Sequence, residues 1–186
     1  RALRARRARC LAAEQALALF RRLPGLEVDT LGQVPGERVP HLTQEPTEPT
    51  AVVRRSTLLA RLDDEAITGL VAAAGPASGS SVALVQIRHL GGALSRPPHQ
   101  PGCHGPISEP FTLQAVGLLT PGETVDIGCA DVLAAVARAS TGRTLMNFQG
   151  PHEENAWWDE VTRRRLVTIK QAVDPVDTIR SNRPVR

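Results

Sequence analysis

At 186 residues, 41% of them hydrophobic, the chain is long enough for one domain with a real core and too apolar for a disordered segment. Of 22 basic residues only Lys170 is lysine, and the net charge is +3; Tyr is absent, which excludes chemistry that needs a phenol from this chain. Three cysteines give no disulfide framework, and no apolar run has the length of a membrane span.

Residues 3–23 read as a helix, with Leu3, Cys10, Ala13, Leu17 and Phe20 as a rough apolar stripe between Arg-rich faces, stopped by Pro24-Gly25. Arg1, Arg4, Arg6, Arg7 and Arg9 form a basic run. No stacking aromatics accompany it, so a solvated helix face is expected and nucleic acid is not an expected partner. No signal peptide is visible, and the cytoplasm is the expected compartment. Four prolines in residues 33–50 predict an extended loop.

Residues 51–60 suit a strand. Asp63 is placed to cap a following helix, with Asp64 and Glu65 at its positive end and Leu62 and Ile67 as a hydrophobic staple. Ile67, Leu70 and Val71 are expected to face the core. Gly75–Ser80 ends the unit in a turn. Val82–Leu90 reads as a strand, followed by Gly91-Gly92, where unusual backbone dihedrals are expected. Residues 95–110, rich in Pro, Gly and His, form a long loop of the kind that often carries function.

Phe111–Leu119 is a further strand. Asp131 is expected to cap a short helix running to Ala139, and Arg143–Phe148 to form a short strand. Trp157–Val173 reads as an amphipathic helix with Asp159–Arg163 and Glu160–Arg164 as i,i+4 pairs, closed by Asp174-Pro175. Trp157 and Trp158 are expected to pack it onto the sheet. The order of elements predicts an α+β fold, with helices on one face of a mainly antiparallel sheet.

Two patches carry a family resemblance. Leu145-Met146-Asn147-Phe148 precedes the Trp-containing helix, then Arg165-Leu166, Ile169-Lys170, Asp174-Pro175 and Ile179-Arg180-Ser181-Asn182 follow. This resembles the C-terminal segment of berberine-bridge-type flavin oxidases, where Tyr-x-Asn-Phe precedes Arg-Leu-x-x-Ile-Lys and a Tyr-Asp-Pro tail. Ile87-Arg88-His89-Leu90-Gly91-Gly92-Ala93-Leu94 resembles the Arg-x-x-Gly-Gly-Ala strand of the substrate-binding domain in the same enzymes. The resemblance implies an FAD-dependent oxidoreductase that passes a substrate hydride to the flavin. Residues 1–140 would be a partial substrate-binding domain, and 141–186 a segment returning to an FAD domain that this chain lacks.

The same resemblance implies roles. Asn147 and Asn182 are candidates for cofactor contact, and Arg88 and His104 for substrate contact. The family Tyr that often serves as base is here Leu145, which accepts no proton, so the catalytic residue stays open. Val173, Asp177, Ile179 and Pro184 are further departures from the family tail. No Gly-rich pyrophosphate loop is present. His99, Cys103 and His104 lie within six residues but lack a separate fourth ligand, so no metal is expected. The expected partners are a small-molecule substrate, a separate or missing FAD domain and a second copy of the chain. A non-catalytic relative that acts by association is the alternative.

Overall fold

A computed structural model of the chain describes residues 2–25, 29, 32–42, 48–100, 102–103, 105–119, 125–150, 157–181 and 184–185, with side chains undescribed at 2–9, 40 and 125. It divides into two compact units, Arg1–Pro49 and Thr50–Arg186. The first holds α1 (Ala2–Leu17) and two 3-10 helices, Phe20–Arg22 and Gly36–His41. The second of these falls within the extended loop expected at 33–50, of which residues 43–47 lie outside the described residues. Pro35, with φ −57° and ψ 145°, leads directly into it, and its carbonyl accepts from Arg38 N at 3.0 Å. Pro thus starts a turn here as well as blocking longer helix.

The second unit is α+β. Its three strands are β1 (Val52–Leu59), β2 (Leu84–His89) and β3 (Phe111–Leu118), in the order β1-β3-β2. Both pairings are antiparallel, so β1 and β2 run parallel to each other with β3 between them. The link from β1 to β2 is α2 (Asp64–Ala74), capped as the sequence predicts by Asp63, whose carboxylate accepts from Ala66 N at 3.0 Å. α3 (Val125–Ala135) follows β3, and α4 (Glu160–Val173) lies near the end.

Alternation along the strands gives the sheet two faces. One carries Val53, Leu59, Leu113 and Ala115, which join Ala66 and Leu70 of α2 and Cys129 and Val132 of α3, with Val136 and Ala139 beyond it, in one core. Burying each of the large side chains contributes roughly 1.5–3 kcal/mol. Arg55 forks onto Asp126 of α3 at 2.8 and 2.7 Å and ties helix to sheet at the rim.

α2 corrects the expected facing. Leu70 is buried as expected, but Ile67 and Val71 are exposed, at 45% and 61%, and Ala66 is buried in their place. The reason is Gly69, where a Cβ would meet the Ala135 carbonyl oxygen at 2.8 Å. The small-residue side of α2 approaches α3 closely, and the bulkier side is turned out.

α3 also differs from expectation. It begins before Asp131, which sits inside it and caps nothing; its core stripe is Cys129 and Val132, continued by Val136. Arg143–Phe148 is not a strand. Residues 140–145 run irregularly beside β1, with Leu58 N donating to Arg143 O at 2.7 Å and Thr141 N to Leu58 O at 3.0 Å. A 3-10 turn, Met146–Phe148, follows.

Trp157 and Trp158 precede α4 and are not part of it; Trp157 is 7% exposed. Asp159 caps α4 by accepting from Thr162 N at 2.7 Å, and Glu160 pairs with both Arg163 and Arg164. The amphipathic helix expected here packs no apolar face: Val161 and Ile169 are exposed, and α4 buries no residue. Among the described residues no helix is long and apolar enough to cross a membrane.

Candidate functional site

The sheet face away from α2 and α3 is polar where a core face would be apolar. Across the three strands it runs Leu58–Thr112–Arg88, Ser56–Gln114–Gln86 and Arg54–Val116–Leu84. Ser56, Thr112 and Gln114 are nonetheless buried, because another segment covers them. That segment is 140–149. The Ser56 and Thr144 hydroxyls hydrogen-bond each other, and on the other face of β1 the Thr57 and Ser140 hydroxyls meet at 2.6 Å. Ser56 Oγ donates to Phe148 O at 2.8 Å, and Arg54 reaches Asn147 O at 3.4 Å. A buried Glu109 carboxylate accepts from Arg143 at 3.0 and 3.2 Å and from Thr141 at 3.2 Å, fixing the same segment at the start of β3.

These bonds carry residues 145–148 beside Arg88. The Arg88 Nε donates to Gln86 Oε1 at 2.8 Å, and its guanidinium carbon stands 5.0 Å from the centroid of the Phe148 ring. Such a cation–π contact contributes about 0.5–1 kcal/mol at an exposed site. The third wall is the loop after β2. Gly91 and Gly92 have φ of 126° and 57°, as the Gly-Gly pair predicts, and they start a turn in which Leu94 N donates to Gly91 O. Ile107 N then donates to Leu94 O at 2.8 Å and folds the far end of the loop back.

Between these parts lies an open pocket of ≈ 620 Å³, the size of a small-molecule site. Arg88, Leu145, Met146, Asn147, Phe148 and Trp157 line it, with Thr112 on the central strand. The 87–94 patch and the first four residues of the C-terminal patch, 145–148, therefore meet at one cavity, while residues 165–181 do not line it. Asn147 is exposed there and Leu145 half-buried. His104 and Asn182, the other two candidates, lie outside the described residues. His99 and Cys103 are exposed and do not line the pocket.

Sequence reasoning missed Thr112, Phe148 and Arg96 as pocket groups. Thr112 is 2% exposed and its hydroxyl has no hydrogen-bond partner among the described residues. The period-2 pattern of β3 was a usable signal: Leu113 and Ala115 are apolar, and Thr112 and Gln114 between them are polar. Among the described residues the lining contains no Asp or Glu, and the ring of His89 lies on the other face of the sheet, tilted against Phe111 at 5.3 Å. The chain matches no protein-family model and no curated protein sequence.

Proposed function

We propose that this chain forms the substrate side of an FAD-dependent oxidoreductase of the berberine-bridge type, with the flavin held mainly by a separate domain. The observation that supports this reading is the meeting of residues 88–94 and 145–148 at one pocket, with Arg88 over Phe148. Those are among the stretches whose sequences resemble the family's, and they lie far apart in the chain.

FAD, when bound, would supply the acceptor for a substrate hydride. The residues present fit one edge of such a group: Asn147 offers an exposed amide that both donates and accepts, beside an apolar wall. They do not provide a Gly-rich pyrophosphate site, hence the separate domain. Arg88 orients a polar substrate group, and the walls from Leu90, Ile107 and Trp157 exclude water from its apolar body.

The test is tryptophan fluorescence. In a Trp158→Phe variant Trp157, in the pocket wall, is the one remaining indole. FAD should quench it saturably, with half-saturation below about 1 mM, and Asn147→Ala should weaken the effect. Quenching that stays linear and is the same in Asn147→Ala removes the reading. The second reading, a non-catalytic relative that works by association, is favoured by Leu145 at the base position and by Val161, Ile169 and Val173 exposed on α4.

A further inference from the structure

The pocket has a charge asymmetry. Its walls are largely apolar, from Leu90, Leu94, Ile107, Met146, Phe148 and Trp157. Its charged lining groups are Arg88 and Arg96, with no carboxylate among the described residues that line it. Other arginines of this unit are spent on acids: Arg55 on Asp126, Arg143 on Glu109, and Arg163 and Arg164 on Glu160. No carboxylate among the described residues pairs with Arg88.

We infer that the pocket takes an organic anion, an apolar and largely planar body bearing one carboxylate or equivalent acid, with the acid on Arg88. Gln86 holds the guanidinium Nε and Phe148 supports its face, so the terminal amino groups are left as a fixed fork of donors. A fork of this kind matches the two oxygens of a carboxylate. Preorganisation lowers the entropy lost when the ligand's acid is captured. The unpartnered Thr112 hydroxyl, 2% exposed in the pocket lining, offers a further hydrogen bond to a polar atom on the ligand body. That the anion is a substrate, and not only a ligand, rests on the flavin reading above; the anion site itself does not.

The experiment uses two fluorescent probes of one shape on the full chain. 8-Anilinonaphthalene-1-sulfonate carries an anion on an apolar arylaminonaphthalene; N-phenyl-1-naphthylamine has the same skeleton without the charge. Each is titrated against the native chain, Arg88→Met and Arg88→Lys. Arg88 is exposed on an edge strand, so both variants should keep the native circular dichroism. Arg88→Met should weaken the sulfonate probe by about tenfold or more and leave the neutral probe unchanged, with Arg88→Lys in between. Equal sulfonate affinity in Arg88→Met overturns the inference, and so does an equal loss for both probes, which would mark packing and not charge. The FAD titration is a separate readout. Arg88-dependent sulfonate binding without FAD quenching upholds the anion site and removes the flavin reading; FAD quenching with Arg88-independent sulfonate binding does the reverse.

Discussion

Thr112 separates the demands of folding from those of a site. It lies mid-strand in the centre of the sheet, 2% exposed, with a hydroxyl that no described group satisfies. A buried hydroxyl without a partner costs roughly 1–3 kcal/mol by mutational measures. Val has the same branching and suits a strand. Thr112→Val should therefore stabilise the protein by about 1 kcal/mol in a urea unfolding titration. An unchanged or lower stability would mean that a water or a rotated rotamer already satisfies the hydroxyl, and that folding alone accounts for Thr at this position. Glu109 shows the opposite arrangement. It is also buried, at 6% exposed, but Arg143 and Thr141 satisfy its oxygens. Its work is to hold the covering segment in place.

At the level of elements, the Asp63 cap was legible, whereas Asp131, expected to cap α3, sits inside it, and the facings were not legible. Asp63 and Asp159 both cap their helices by local bonds that need no tertiary help, although the sequence pattern places Asp159 inside the helix and pairs it with Arg163. The face that α2 buries was decided by Gly69 against a helix 60 residues on, which periodicity alone does not contain. The 3-10 turn at Met146–Phe148 is likewise set by Ser56 and Arg54 reaching across from β1. Arg88 and Asn147 could be named from the resemblance; that they line one pocket depended on this crossing. The end of α4 combines both kinds of information. Asp174 accepts from the Lys170 ammonium and from Ile179 N at 2.9 Å and Thr178 N at 2.8 Å, and Lys170 also donates to Ile179 O at 2.7 Å. The Lys170 bond first, then the two backbone bonds, hold the Asp174 carboxyl down at about 2, against an ordinary 3.8. A carboxylate whose folded value is depressed contributes stability that is complete above its unfolded value. That contribution is lost as pH falls from about 4 toward 2. The amide signals of Thr178 and Ile179 should therefore hold their positions from pH 7 to 4 and shift below it, with a midpoint near 2. Asp174→Asn should abolish that titration and loosen the turn at neutral pH. A midpoint close to 4 would mean that the turn is not formed in solution.

On the scale of the whole chain, the distribution of burial argues that the two units carry unequal shares of the stability. Every described residue that is buried lies between Val53 and Trp157, and the core cluster runs from Val53 to Ala139. The described side chains of α1 include none that is buried. A helix of 16 residues whose described side chains, from Cys10 to Leu17, bury nothing gains little from packing along that stretch. In Thr50–Arg186, by contrast, two helices cover one face of the sheet, the 140–149 segment covers part of the other, and Arg55–Asp126 and Arg143–Glu109 tie the edges. The pocket is built wholly from residues of this second unit. A chain beginning at Thr50 should accordingly unfold cooperatively on heating, with a midpoint within a few degrees of the full chain's, because a difference of 1 kcal/mol corresponds to only about 2–8 °C in this size range. It should also keep the Arg88-dependent affinity for the sulfonate probe. Thermal melts followed by circular dichroism, with the probe titration repeated on the shorter chain, decide the point. A broad, non-cooperative melt would place part of the folding free energy in residues 1–49. A sharp melt with lost probe binding would make those residues part of the site and not of the core.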